Sequence, residues 1–136
     1  MLMIVALKRY PGAQAFRFGD DAELNAEILS LVRAGKKTVT CDAVEAFVTR
    51  GEDLPVPGRI DIACDWDWRP ACAVETVTLE RRAFEEMDEV LVADQGEFSD
   101  LEEWRQGYRA YLERSVGFRP GIEMAVERFR LVEDLG

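Results

Sequence analysis

The residues best suited to chemistry in this 136-residue chain gather around one short run, Gly35-Lys36-Lys37-Thr38-Val39-Thr40, with Arg33 just upstream. Ammonium groups and hydroxyls set so close can bind an anionic oxygen. A lysine stripped of water can also act as base toward a hydroxyl or a water molecule. The run is not a Walker loop, because the G-x-x-x-x-G-K-[ST] spacing is absent. Its local reading is simple: Gly35 stops a helix, the lysines suit the negative end of the helix dipole, and β-formers follow. Arg33 and Lys36 are then solvated helix-end charges; read functionally, they form the phosphate-facing rim of a cleft. A second set is Asp65-Trp66-Asp67-Trp68. Exposed Trp66 and Trp68 would stack on bases, but they would equally close the end of a barrel or bury in a homodimer contact.

Composition excludes several kinds of chemistry. There is no histidine, which removes the commonest general base and the commonest zinc ligand. The three cysteines, Cys41, Cys64 and Cys72, lack a framework spacing, and no close pair exists to start a zinc site. Buried free thiols, a reducing cytoplasmic location, no metal and no cofactor are expected. A net charge of −10 repels a polyanion, so RNA would be met only through a local basic patch, no DNA partner is expected, and a nucleoside suits the charge better. No apolar run approaches a bilayer span, and Met1 to Leu7 lacks the flanks of a signal peptide.

The elements that must position these groups can be read from periodicity. Asp20 to Ala34 reads as a helix, with Asp20 and Glu23 as a capping pair, Leu24, Ile28, Leu31 and Val32 on one face, and Gly35 as the stop. Lys36 or Lys37 to Cys41 reads as a strand. Asp42 with Glu45 and Ser99 with Glu102 repeat the capping pattern; the first opens a short helix ended by Gly51, the second a long one with Leu101, Trp104, Tyr108, Tyr111 and Leu112 on its core face. Arg59 to Asp65 and Ala71 to Glu80 alternate as paired strands joined through Asp65 to Pro70. Phe84, Met87 and Leu91 suggest a further helical piece. Met124 to Val132, with several charges, reads as an exposed or edge strand. Strands and helices do not alternate regularly, which favours an α+β fold.

Several motifs recur in a fixed order: Phe18-Gly19-Asp20, then Leu31-Val32-x-x-Gly35-Lys36-Lys37-Thr38, Leu54-Pro55-x-Pro57-Gly58, Met87-Asp88-Glu89-Val90, Leu101-x-x-Trp104-Arg105 and Val126-Glu127-Arg128-Phe129-Arg130-Leu131-Val132. This series, from about Phe16 to Glu133, resembles the longer bacterial branch of the ASCH family, which belongs with the PUA-like domains. The resemblance implies a single domain, a small β-barrel with flanking helices and a cleft beside the Gly-Lys-Lys-Thr segment. It also implies RNA or nucleoside recognition. Some small members are amidohydrolases acting on N4-acetylcytidine through a Lys, a Thr and a Glu, and a ribonuclease activity is attributed to another. Carried over by position, the Lys is Lys37 and the Thr is Thr40. The Glu position aligns with Gln95, which cannot exchange a proton; a carboxylate follows two residues later, at Glu97. Small members carry a basic residue after the second Thr, where this chain has Cys41.

The expected site is therefore Lys37, Thr40 and Glu97 for chemistry, with Arg33, Lys36, Thr38, Gln95, Trp66 and Trp68 touching the ligand. A non-catalytic RNA-binding module and a ribonuclease are the alternatives. Amide hydrolysis without histidine is chemically sufficient here, because Lys37 can serve Thr40 or a water while a carboxylate positions it. In a regular strand Lys37 and Thr40 point to opposite faces. Lys37 is accordingly expected in the loop that leads into the strand.

Overall fold

The computed structural model describes residues 1–136 and has the order α1 (Met3–Arg9), β1 (Ala15–Arg17), α2 (Ala22–Arg33), β2 (Val39–Ala43), α3 (Val44–Arg50), β3 (Ile60–Cys64), β4 (Pro70–Ala83), α4 (Glu89–Ala93), α5 (Leu101–Ser115) and β5 (Glu123–Asp134). A single 3-10 turn, Phe84–Glu86, precedes α4. The alternating stretches β3 and β4 form the expected antiparallel hairpin, with Ile62 opposite Ala73. The full sheet has five strands in the order β1-β3-β4-β5-β2, with β1 and β2 at its ends. It is mixed, because β1 runs parallel to β3 while the other pairs are antiparallel. The fold is thus α+β, as the irregular order of elements predicts. No helix is long and apolar enough to cross a membrane.

The charged final strand is not at an edge. β5 pairs with β4 on one side and β2 on the other. Its segment Met124, Ala125 and Val126 is buried, and its polar residues face a cavity and ion-pair partners rather than open solvent alone. The capping patterns sit one residue too early. Asp21, in extended conformation, caps α2 by accepting from the Leu24 N–H at 2.7 Å, while Asp20 pairs with Arg114. Likewise Asp100 caps α5 by accepting from the Glu103 N–H at 2.8 Å, and the Ser99 hydroxyl donates to Glu103. In each doublet either residue has a capping side chain, and backbone conformation selects the second. Helix α3 begins after Ala43 with no side-chain cap at all. Strand β2 starts at Val39, three residues beyond Lys36 and two beyond Lys37.

Two packed layers hold the sheet. Ile28, Leu29 and Val32 of α2 bury against Phe18, Ala63, Cys72 and Phe129. Trp104 and Leu112 of α5 bury against Val39, Cys41, Met124 and Val126. Each fully buried side chain of this size contributes roughly 1.5–3 kcal/mol. Register shifts at Ala73/Val74 and Thr76/Thr78 bend the long β4 strand. Residues from all five strands consequently line one cavity.

Candidate functional site

The loop between α2 and β2 is set by its glycine. Gly35 takes φ 73°, and the N–H groups of Lys36 and Lys37 both return to the Leu31 carbonyl, at 2.9 and 3.2 Å. Lys37 therefore lies in the lead-in loop, outside the alternation of β2. Its side chain is 1% exposed. The Nζ donates to Glu97 Oε2 at 2.6 Å and to the Gln95 carbonyl at 3.4 Å. The ion pair offsets the desolvation that an isolated ammonium would suffer there. The backbone secures the same junction: the N–H groups of Thr38 and Val39 both donate to the Asp94 carbonyl, at 2.8 and 3.0 Å. Gly96 makes this possible. A Cβ there would lie 2.5 Å from the Lys36 carbonyl oxygen.

Behind this pair the side chains are buried. Gln95 is fully buried, its Oε1 accepts from the Cys41 thiol at 3.7 Å, and its Nε2 has no hydrogen-bond partner. Burial pushes the Cys41 thiol up to about 12, so it is inert as a nucleophile. The Tyr108 hydroxyl donates to the Cys41 carbonyl at 3.1 Å and closes this region against α5.

In front of it lies a cavity of about 930 Å³, in the upper range of ligand pockets. Of the expected site residues, Thr40, Glu97, Trp66 and Trp68 line it. Lys37 stands behind Glu97 and reaches the cavity through that carboxylate. The others lie elsewhere. Gln95 faces Cys41. Arg33 projects from the end of α2 to Asp134 at 3.3 Å. Lys36 is exposed, and Thr38 is spent on the sheet, its carbonyl accepting from the Phe129 N–H at 3.0 Å. Sequence proximity to Lys37 suggested Arg33, Lys36 and Thr38, but the turn at Gly35 disperses them; Gln95 came from the family resemblance.

The cavity also holds groups that the sequence reading missed. Glu127 of β5 sits opposite Thr40 in the antiparallel ladder, on the same face. Its Oε2 accepts from the Thr76 hydroxyl at 2.7 Å. Burial pushes its carboxyl up to about 7; Asp61 adds to the rise, while Thr76, Arg59 and Lys37 oppose it. A carboxyl in that range exchanges protons at neutral pH. Asp61 is fixed by Arg59 at 2.9 Å and by the Gln14 N–H at 2.9 Å. Asp42, on the same face two residues beyond Thr40, accepts from Arg50 and from the Tyr111 hydroxyl; burial raises its carboxyl. At the other wall Arg17 lies against the rings of both Trp66 and Trp68. A signal for Glu127 existed: a lone carboxylate following the apolar run Met124-Ala125-Val126 marks a buried charge once the strand is internal.

A model of the ASCH domain family matches residues 14–133. An ASCH domain from Lactobacillus crispatus JV V101 superposes with a TM-score of 0.81 at 22% identity, covering 97% of this chain and 86% of its own. A protein from Enterococcus faecalis V583, described under the family designation DUF984, gives a TM-score of 0.82 at 22% identity over 95% of this chain and 84% of its own. A single-residue variant of an ASCH protein from Zymomonas mobilis is more distant, with a TM-score of 0.56 at 12% identity over 91% and 73%. At these identities the structural likeness shows the fold alone. No curated protein matches the chain by sequence.

Proposed function

Because the chain belongs to the ASCH domain family, we propose that its cavity takes up a nucleobase or nucleoside and hydrolyses an acyl-amide carried on a modified pyrimidine, with N4-acetylcytidine as the type substrate. The observation that carries this reading is the Lys37–Glu97 pair, 2.6 Å apart, whose carboxylate opens onto the same cavity as Thr40 and Glu127. Hydrolysis would form a bond between a water oxygen and the acyl carbon and break the acyl C–N bond. A carboxylate takes the water proton and returns one to the leaving amine, so that acetate and the free amino-pyrimidine result. Glu97 suits this part because Lys37 fixes it. The Thr40 hydroxyl serves the oxyanion or the nucleophile.

A second reading, a non-catalytic module that binds a modified base or RNA, is favoured by Gln95. It occupies the position aligned with the family's glutamate and is turned away from the cavity. Incubation with N4-acetylcytidine, followed by chromatography for cytidine, separates the two. Turnover that collapses in Glu97→Gln while nucleoside affinity survives supports the hydrolase. Binding without turnover in the wild type supports the module. A wild type that neither binds nor hydrolyses the nucleoside, and binds no RNA, defeats both.

A further inference from the structure

We propose that Arg17 is the anion receptor of the cavity and that the natural ligand carries a phosphate, making a nucleotide rather than a bare nucleoside its substrate class. The ligand assignment rests on the reading of the cavity as a nucleoside pocket. Arg17, Arg50, Arg59 and Arg114 line that cavity. Three of them are neutralised. Arg50 pairs with Asp42 at 2.9 Å and Glu52 at 3.1 Å, Arg59 with Asp61 at 2.9 Å, and Arg114 with Asp20 at 2.9 Å. Arg17 alone has no carboxylate partner. In a chain of net charge −10, acids outnumber cations, so a guanidinium left without a carboxylate at a cavity wall is suited to receive an anion.

Its setting prepares it for that task. The guanidinium carbon lies 3.7 Å from the Trp66 ring centroid and 4.4 Å from that of Trp68. A guanidinium stacked on aromatic rings keeps its in-plane N–H groups for hydrogen bonding. One of these, on Nη1, donates to the Trp66 carbonyl at 2.9 Å. The other in-plane donors have no protein acceptor, and a planar fork held still is the geometry that phosphate oxygens match. The nearest acids in sequence to the two rings are occupied elsewhere. Asp65 Oδ1 accepts from the N–H groups of Asp67 and Arg69, both at 2.9 Å, and Asp67 faces Arg69 at 3.9 Å. Trp68 is held at φ 63°, a left-handed conformation that a large residue rarely adopts and that persists only where its surroundings impose it. That conformation places the second ring over Arg17.

A phosphate monoester on a free nucleotide and a phosphodiester in RNA offer the same chemistry. The exposed, unpaired Glu27 at the cavity disfavours the additional phosphates of a strand. Isothermal titration with cytidine, cytidine 5′-monophosphate and a short single-stranded oligocytidylate tests the assignment. Tryptophan emission during titration with inorganic phosphate supplies a readout that needs no nucleoside. The wild type is expected to bind the monophosphate about tenfold or more tighter than cytidine, and Arg17→Gln to abolish that preference while leaving cytidine affinity within about twofold. Arg17→Met, which keeps an apolar stem against the rings, replaces the glutamine variant if that one melts early. An oligonucleotide that binds more tightly than the monophosphate, through Arg17, keeps the phosphate contact and assigns it to a strand. A wild type that binds cytidine with no gain from the phosphate overturns the role of Arg17 and leaves the pocket reading intact. Failure to bind either pyrimidine, with an Arg17-dependent response to inorganic phosphate, keeps the receptor and overturns the pocket. No response to any of these probes overturns both.

Discussion

Replacing Glu127 with glutamine is expected to stabilise the protein by an amount that grows as pH rises from about 4.5 to about 7 and is full above it. The carboxyl is held about 2.5 units above its ordinary value of 4.5, at about 7, chiefly because burial disfavours its charged form. A folded-state pKa raised above the unfolded one means that the native state holds this proton more tightly. The resulting stabilisation is fully present below about pH 4.5, declines as pH rises through 7, and is absent above it. At 1.36 kcal/mol per unit, ionising Glu127 costs the native state about 3 kcal/mol, an upper bound because the carboxyl keeps some contact with the cavity's solvent. Glutamine keeps an acceptor for the Thr76 hydroxyl and cannot ionise. Urea unfolding of wild type and Glu127→Gln at pH 4 and pH 8.5 measures the effect. The two proteins should nearly coincide at pH 4, and the variant should gain up to about 3 kcal/mol at pH 8.5, the other titrating groups cancelling in the difference. A variant with the same pH slope as the wild type would show that Glu127 ionises freely, and the account of the cavity floor would fall with it.

Three further outcomes follow from the same contacts. Lys37→Met strands the Glu97 carboxylate at its 2.6 Å partner site and should cost about 3 kcal/mol, much of it recovered in the Lys37→Met/Glu97→Gln double variant; a denaturation cycle reads the coupling. Gly96→Ala should destabilise far more than Gly35→Ala in thermal melts, although both glycines have φ 73°: only at Gly96 does the new methyl meet backbone, at 2.5 Å, whereas Gly35 faces open space and pays only the left-handed penalty of about 1–2 kcal/mol. Cys41, Cys64 and Cys72 are buried, and burial raises each thiol, so none should react with Ellman's reagent in the native protein at pH 8 and all three should react in denaturant.

How far the site was legible depended on which physics placed each residue. Local rules served well for α2, α5 and the β3–β4 hairpin, because a capping carboxylate, an apolar face and a glycine stop act within a few residues. They failed by one position at Asp20-Asp21 and Ser99-Asp100, where adjacent side chains both satisfy the rule. The contact of Lys37 with Glu97 spans 60 positions, and no periodicity links the two; only the family resemblance brought them together. Arg17 lies in a three-residue strand whose sole partner is parallel, so neither length nor alternation marks it. Glu127 was hidden by a different error. Charges in a strand suggest an edge when the neighbours are unknown, and β5 turned out to have two. Once a strand is internal, the same charges invert their meaning: a solvated carboxylate costs nothing and does nothing, whereas one enclosed beside Asp61 and Thr76 binds its proton near neutrality. Arg33 and Lys36 show the converse, since adjacency to a buried lysine looks functional until a glycine turn sends each residue outward. The groups that the sequence hid are thus those whose charge the fold encloses or leaves unpaired, Glu127 and Arg17, and that property belongs to the sheet's topology rather than to any segment of the chain.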